Sequence, residues 1–284
     1  TECYLAAMSG NYDGELPTPH TRMQMIMRNA AVNISKKLER HVVIPDGVTA
    51  IENYEFRFRP YMQSVTIPDS VTTIGFGAFQ ECTLLNTVKL PNSVTTIEGA
   101  AFSDCPSLTA VRIPDSVTYI GASVFSDCVN LRNLTLSNNI TVIENTAFED
   151  CKSLGVITIP EGVTSIGSLN SSLSTAKYNG AFKYCTALKN VTIPNSVTRI
   201  GSSSFWGCTS LKSITIPNSV TTIGFQAFSD CSALTSITIP GSVHTIENNA
   251  FSRAGLETIT INRTENSISG APWGATNATV VWTG

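Results

Sequence analysis

The sequence predicts a repeat solenoid, in which the chain winds into stacked coils with a parallel sheet along one side. Close variants of one segment, "AFSDCPSLTAVRIPDSVTYIGAS" at residues 101–123, recur along most of the 284 residues. An Ile or Leu, usually followed by Pro, marks each copy, and most of these marks are 23 residues apart. Self-similarity at such a period is the signature of a stacked repeat architecture. The marks are Ile44, Ile67, Leu90, Ile113, Leu136, Ile159, Ile193, Ile216, Ile239 and Ile261.

Each unit begins with the pattern L-x-x-I-x-I-P, which predicts a short strand ended by proline. In Leu211–Pro217, Ile214 and Ile216 point to one face and Thr215 points to the other. The second half of the unit has neither a period of 2 nor one of 3.6. We therefore expect it to return as an irregular segment with 3₁₀ or single helical turns. One unit cannot bury its apolar face alone, whereas ten stacked units can.

The repeat divides the chain into three parts. Residues 1–40 lack it and predict a helical N-terminal cap, residues 41–262 hold ten units, and residues 263–284 form a C-terminal cap. In the C-terminal cap a terminal strand is expected, with Trp273 and Trp282 covering the last coil. One unit carries an insertion of eleven residues at 168–178.

The unit, with "IP" after the strand and "AFxxCxxL" after the turn, resembles the BspA-like, or Treponema-type, leucine-rich repeats. The resemblance covers about residues 41–262. It implies a horseshoe-shaped leucine-rich-repeat solenoid with the parallel sheet on its concave face and irregular or 3₁₀ turns on its convex face. It also implies a secreted or surface protein of a bacterium, associated with adhesion to host matrix proteins or to other cells.

Composition narrows the choice of partners. The formal net charge of −3 gives no polybasic footprint, so nucleic acid and anionic membrane surfaces are not expected partners. No apolar run approaches twenty residues, so no membrane insertion is expected. No signal peptide is visible, but the start at Thr1-Glu2-Cys3 reads like a processed end. We therefore expect an extracellular or cell-surface protein.

Seven cysteines occupy the same place in successive units, and Cys3 stands apart. Equivalent side chains in a stack point in parallel, which disfavours a disulfide, and a line of residues does not converge on a metal. The preceding residue is usually Asp, which would raise the pKa of the thiol. We expect cysteine to act as a small filler, with a disulfide as the next alternative and metal binding or catalysis as the last, and we expect no cofactor. The column is Cys82, Cys105, Cys128, Cys151, Cys185, Cys208 and Cys231.

Catalytic motifs are missing from the sequence, which contains no G-x-S-x-G, P-loop or H-E-x-x-H pattern. Glu98, Glu144 and Glu247 share one slot of the repeat, and their spacing is that of a surface ladder. The sequence therefore predicts a protein that is not an enzyme. A carbohydrate-active enzyme, the weakest alternative, would need two acids converging on the concave face.

Two candidate ligand sites lie where the units differ. On the sheet face most units have Thr between the two Ile positions, but Lys89 and Arg112 replace it in consecutive units. With Arg132 and Asn133 they would form a small basic patch for a carboxylate, a sulfated glycan or an acidic protein loop. Adjacent columns also contain Lys189, Lys212 and Asn190. The alternative is a threonine ladder selected for strand propensity and solubility.

The second candidate is aromatic. Trp206 replaces the usual Ser after Phe in one unit, Tyr184 replaces the usual Asp in the unit before, and the insertion ending at Tyr178 lies nearby in the sequence. Exposed Trp and Tyr are typical anchors of interfaces, and loops on a repeat frame often carry function. The alternative is a tolerated surface loop that packs over these aromatic residues.

The function expected from these features is a monomeric, non-enzymatic adhesion or recognition module that binds a host matrix protein, a cell-surface protein or a glycan. A phage or prophage tail-associated structural or receptor-binding protein is the first alternative. It is suggested only by residues 15–22, whose segment "LPTPHTR" resembles short stretches of prophage-encoded proteins.

Overall fold

The computed structural model describes residues 39–167 and 179–284, which form a stack of coils linked by parallel strand pairing. The predicted repeat solenoid is thereby confirmed. The N-terminal segment expected to be helical and the eleven inserted residues fall outside the described residues, apart from Glu39 and Arg40. Within the described residues no helix is long and apolar enough to cross a membrane.

The L-x-x-I-x-I segments pair in parallel along one side of the stack, here called the first ladder. Their alternating pattern places Ile and Val inward and Thr, Asn, Lys or Arg outward, as in Ala110, Val111 and Arg112. The strands are β1 (His41–Val43), β3 (Ser64–Thr66), β5 (Thr87–Val88), β7 (Ala110–Arg112), β9 (Asn133–Thr135), β11 (Val156–Thr158), β13 (Asn190–Thr192), β16 (Ser236–Ile239), β18 (Thr258–Ile261) and β19 (Thr279–Trp282).

The first ladder is hydrogen-bonded in three sections, β1-β3-β5-β7-β9, β11-β13 and β16-β18-β19. Leu211–Pro217 was expected to be a strand, and this expectation is wrong, because no strand is assigned there. Its alternation is nevertheless as predicted, since Ile214 and Ile216 are buried and Thr215 is exposed. The apolar pattern thus determines which side chains enter the core. Hydrogen bonds between strands need a further condition, which is that the backbones of neighbouring coils lie close together.

The return half of each unit contains a second ladder, which the sequence did not predict. Each of its strands has two residues, usually Thr or Ser followed by Ile, and pairs in parallel with its neighbours in the sections β2-β4-β6-β8 and β10-β12-β14-β15-β17. The strands are β2 (Ala50–Ile51), β4 (Thr73–Ile74), β6 (Thr96–Ile97), β8 (Tyr119–Ile120), β10 (Val142–Ile143), β12 (Ser165–Ile166), β14 (Arg199–Ile200), β15 (Thr222–Ile223) and β17 (Thr245–Ile246).

Tight turns follow the second ladder. Cys128 N–H donates to the carbonyl of Phe125 at 3.2 Å, and Leu131 N–H donates to that of Cys128 at 2.9 Å. The irregular turns expected there are therefore present, but in the described part of the chain they do not join into a 3₁₀ helix. The physical reason is that left-handed residues interrupt them, such as Ser123 (φ 58°) and Asp127 (φ 60°).

The core is a set of parallel columns that run along the stack. Phenylalanines form the widest column, with ring centroids 5.2–5.9 Å apart and planes within 5–16° of parallel. Trp273 ends the column edge-on to Phe251, and β19 adds a last strand beside β18. The column contains Phe56, Phe79, Phe102, Phe125, Phe148, Phe182, Phe205, Phe228 and Phe251.

Candidate functional site

The basic candidates all lie on the outward side of the first ladder. Arg112 ends β7, Asn133 begins β9, and Lys89 directly follows β5; all of them, with Arg132, are exposed. Because Thr87 pairs with Ala110, Lys89 is level with Arg112 on the neighbouring strand. Neighbouring strands are about 4.8 Å apart, so these two cations are side by side.

The four candidates do not share one pocket. Lys89 borders a shallow depression of about 610 Å³, whose rim also carries Asp46 and Asp69. Arg132 and Asn133 border a separate depression of about 470 Å³. The structure therefore places the predicted basic residues along one face, spread over three neighbouring coils.

Within the part of the chain that the structure describes, the cations on this face form no ion pair. The ion pairs found among residues 39–167 and 179–284 involve Arg57, Lys152, Lys183 and Arg253, all away from the outward positions of the first ladder. Lys89, Arg112 and Arg132 form none. Like charges on neighbouring strands are unfavourable, so the arrangement is ready to accept an anionic group.

The aromatic candidates lie together on the turns that follow the second ladder. The rings of Tyr184 and Trp206 are 5.6 Å apart at a tilt of 48°, and both residues are half-buried. The Lys183 ammonium lies 5.0 Å from the Tyr184 ring and 5.2 Å from the Trp206 ring, which are cation–π distances. Tyr178 lies outside the described residues.

Charged groups surround this aromatic pair and were not found from the sequence. Lys183 pairs with Glu149 at 2.7 Å, and the Trp206 indole N–H donates to Asp230 at 2.6 Å. Burial acts to raise the pKa of Asp230, but hydrogen bonds from Arg253 and Trp206, with the Arg253 charge, lower it overall. In the sequence, only Lys183 could have indicated this charged cluster, because it occupies the position directly after the repeat Phe, where Ser is the most frequent residue.

A glycine makes room for Tyr184 in this cluster. A Cβ atom on Gly207 would lie 2.4 Å from Cδ1 of the Tyr184 ring, and Gly207 has a φ of +73°. Glycine is the residue that adopts this backbone without steric cost. The Tyr184 ring therefore packs closely against the main chain of the next coil at Gly207, where a larger residue would collide with it.

The cysteine column is part of the core. All seven thiols are free and buried, and each Sγ lies 3.1–3.3 Å from the carbonyl oxygen of the Phe in the preceding unit. Burial is the main cause that raises the pKa of Cys82 to about 11 and that of Cys128 to about 12. Asp104 and Asp127 add to the increase for Cys128. Thiols that stay protonated and inaccessible are not nucleophiles.

The acidic residues singled out by the sequence, Glu98, Glu144 and Glu247, lie beside the second ladder and not on the outward face of the first ladder. Glu98 and Glu144 lie near Tyr119 on β8. Burial is the main cause that raises the pKa of Tyr119, and the negative charges of Glu144 and Glu98 add to the increase. Glu247 accepts a hydrogen bond from the Phe225 N–H at 3.0 Å. In the described ranges no three His, Cys, Asp or Glu side chains converge as metal ligands would.

Comparison with known proteins identifies the repeat. The family model described as the BspA type leucine rich repeat region, with six copies, matches residues 49–174 and 169–276. No curated protein matches the chain. A leucine-rich-repeat protein of T. pallidum of known structure is 30% identical with a TM-score of 0.53, and the match covers 61% of this chain and 78% of that one.

Two further solved structures are similar. A leucine-rich cell surface protein of Faecalibacterium prausnitzii is 26% identical with a TM-score of 0.43, and the match covers 87% of this chain and 88% of that one. The pneumococcal vaccine antigen PcpA is 19% identical with a TM-score of 0.49, covering 88% and 85% of the two chains. The repeat consensus, the stacked coils and the family match lead to one conclusion: the chain belongs to the BspA-type leucine-rich-repeat family.

Proposed function

We propose that this chain is a non-enzymatic recognition module that binds a protein or glycan through the outward face of its first ladder. The repeat frame supports this proposal, because stacked coils give an extended, rigid surface on which outward side chains vary freely. The family resemblance supports a position outside the cell or on the surface of a bacterium, where an adhesive role fits.

The observation that carries the proposal is the pair Lys89 and Arg112. They lie level on neighbouring strands, both exposed and without an ion pair among the described residues, at positions where most other units have Thr. Thr would suit the strand better and would avoid the repulsion. A locally unfavourable choice of this kind is typical of a binding site, because binding sites trade stability for function.

The chemistry of the pair indicates an anionic group on the ligand. Arg112 offers a planar guanidinium that holds a carboxylate or sulfate through two parallel hydrogen bonds, and Lys89 adds a point charge. Arg132 and Asn133 extend the same face by one coil. Acids that could pair for glycoside hydrolysis are missing here, since the outward positions from Asn86 to Thr238 contain no Asp or Glu.

We place the ligand on the first ladder and not at the aromatic pair. The groups around Tyr184 and Trp206 already satisfy one another, as the pairs Lys183–Glu149 and Trp206–Asp230 show. A partner that used these rings would first have to break such contacts. The residues that suggested a phage protein, 15–22, lie outside the described residues and add no further support to that alternative.

The test is the double substitution Lys89→Thr with Arg112→Thr, which restores the residue of the neighbouring units. The variant and the wild type are applied to an array of matrix proteins and of neutral, carboxylated and sulfated glycans at two salt concentrations. We expect the wild type to bind at low salt and the variant to lose at least about tenfold in affinity.

The matched control is Thr238→Ser with Thr260→Ser, which alters the same column of the ladder away from Lys89 and Arg112. Its binding should equal that of the wild type, and the melting temperature of the Lys89 and Arg112 variant should stay at or above the wild-type value. Unchanged binding by the Lys89 and Arg112 variant would rule out this face as the ligand site.

A further inference from the structure

One slot of the first ladder contains a residue without a side chain. The slot follows the Leu or Met that begins each strand segment, and in the coil of β11 it holds Gly155. Arg132 precedes it by one coil and Lys189 follows it by one coil. The slot is occupied in turn by Gln63, Asn86, Thr109, Arg132, Gly155, Lys189, Lys212, Thr235 and Glu257.

The fold does not require glycine at this position. A Cβ atom on Gly155 would have the Ala187 carbonyl oxygen, 3.9 Å away, as its nearest neighbour, which is ordinary van der Waals contact. Its φ is not in the left-handed region, unlike that of Gly207. Since side chains as different as Thr and Lys occupy the slot in other coils, Gly155 leaves open a space that the fold could fill.

That open space is a depression on the exposed face. It measures about 470 Å³ and is bordered by Arg132, Asn133, Leu134, Thr135, Ser153, Gly155 and Val156. It lies at the interruption of the first ladder between β9 and β11, which belong to separate hydrogen-bonded sections. The depression spans the coils of β9 and β11, and it differs from the depressions beside Lys89 and beside Ser213 in having a glycine on its border.

One cation, Arg132, borders the depression, and a second, Lys189, lies in the next coil beyond the bordering residues. Lys189 is in register with Gly155, because its N–H donates to the Gly155 carbonyl at 2.9 Å. Arg132 lies on the depression's other side, two coils or about 10 Å from Lys189. Neither side chain has an ion pair within the described coils. Acids follow the strand segments of several coils: Asp46 and Asp69 border the other depression, beside Lys89, and Asp115 and Glu161 occupy the equivalent slot after Pro in the coils of β7 and β11.

Further cations lie on the outward face of the first ladder on either side of the depression, along the axis of the stack. From Asn86 to Thr238 the outward positions carry five cations and no acid, although the chain has a net charge of −3. Lys89 and Lys212 mark the ends of this cationic strip, five coils or about 24 Å apart. The strip consists of Lys89, Arg112, Arg132, Lys189 and Lys212.

We propose that the strip binds an acidic polysaccharide and that the depression at Gly155 holds one anionic sugar ring between Arg132 and Lys189. This inference rests on the proposed function and names its ligand. The border offers an amide on Asn133 and hydroxyls on Thr135 and Ser153, which are groups that bind sugar hydroxyls. Its apolar members are the exposed Val156 and the half-buried Leu134, and it contains no aromatic residue, whereas aromatic anchors are typical of the sites that hold protein partners.

The experiment measures binding by isothermal titration calorimetry. The probes are oligogalacturonate and heparin-derived oligosaccharides of increasing length, with neutral dextran and poly-L-glutamate for comparison. We expect both acidic saccharides to bind with an affinity that rises with length up to the span of the strip and falls with salt. Dextran should not bind, and poly-L-glutamate should bind more weakly than either saccharide.

The decisive variants are Gly155→Gln and its matched control Thr235→Gln, which place the same side chain in the same slot of two coils. Gly155→Gln fills the depression and should weaken saccharide binding about tenfold, with an unchanged melting temperature. Thr235→Gln should bind like the wild type. Lys189→Gln should also weaken binding and should reduce its salt dependence.

Three results would overturn the inference. Equal affinity of Gly155→Gln and the wild type removes the subsite. Tighter binding of poly-L-glutamate than of the saccharides makes the ligand an acidic peptide. Failure of every acidic saccharide, alongside a protein or neutral-glycan ligand whose binding depends on Lys89 and Arg112, overturns this inference alone and leaves the proposed function standing.

Discussion

The thiol of Cys128 donates a hydrogen bond to the main-chain carbonyl of Phe102 in the preceding coil, with 3.2 Å between sulfur and oxygen. The same contact recurs at every cysteine of the column, so each coil is linked to its neighbour through a buried S–H group. Cysteine suits this slot because it combines small size, apolar character and a weak donor.

The first prediction concerns this contact. Cys128→Ala removes both the sulfur volume and the donor, and it should lower the free energy of unfolding by about 1–2 kcal/mol. Cys128→Ser keeps a donor within reach of Phe102 and should cost less than alanine. Urea unfolding followed by circular dichroism measures both values. A serine variant less stable than the alanine variant would show that the apolar character of the thiol, and not its hydrogen bond, holds the position.

A second prediction follows from the protonation of the thiols. Burial raises the pKa of Cys82 from its ordinary value of 9.0 to about 11, and burial likewise raises that of Cys128 to about 12. In the unfolded chain these thiols ionise near the ordinary value. Between that value and the raised one the unfolded state therefore holds fewer protons, so stability is complete below about pH 9 and falls as the pH rises.

Urea unfolding at a series of pH values between 8 and 11 measures this loss. The double variant Cys105→Ser with Cys128→Ser should lose stability less steeply than the wild type over the same range, because two of the buried thiols are gone. Lysines and tyrosines titrate in both proteins and therefore cancel in the comparison. Equal slopes would show that the thiols are not the groups responsible.

The third prediction concerns the left-handed residue that precedes each cysteine slot. Phe58 holds a φ of 58° while 57% of its surface is exposed, so a bulky side chain occupies strained backbone with little packing in return. Asn adopts this conformation more readily, and Phe58→Asn should raise the free energy of unfolding by about 1 kcal/mol. Its N–H bond to the Gln80 carbonyl, at 2.8 Å, is retained.

The control for this change is Tyr61→Asn. Tyr61 is exposed to a similar extent, 49%, but its φ is not positive, so the substitution relieves no strain. Thermal unfolding of both variants gives the comparison. A melting temperature for Phe58→Asn no higher than that for Tyr61→Asn would remove the strain explanation.

The sequence predicted the elements that carry a period. Alternation along L-x-x-I-x-I marked the inward residues correctly even at Ile214 and Ile216, where no strand forms. The second ladder could not be predicted, because a two-residue segment such as Thr73–Ile74 is too short to show a period. Its hydrogen bonds depend on the stacking of whole coils, which appears only in three dimensions.

The candidate site was predicted in part, and the reasons differ between residues. Lys89 and Arg112 stood out because they interrupt a column of Thr. Lys183 did not, since its position above the rings of Tyr184 and Trp206 depends on how two coils pack. Gly155 was missed because a single glycine next to a strand indicates only a local loss of strand stability. Its meaning depends on the cations placed on both sides by the neighbouring coils.

The direction of the two ladders has a mechanical consequence. Their hydrogen bonds run from coil to coil along the stack, so tension applied at the two ends would load them in series and detach the coils one at a time. Each detached coil of 23 residues would release about 80 Å of extended chain. A chain built in this way would yield in steps under a pulling force and would extend before its last coils unfold.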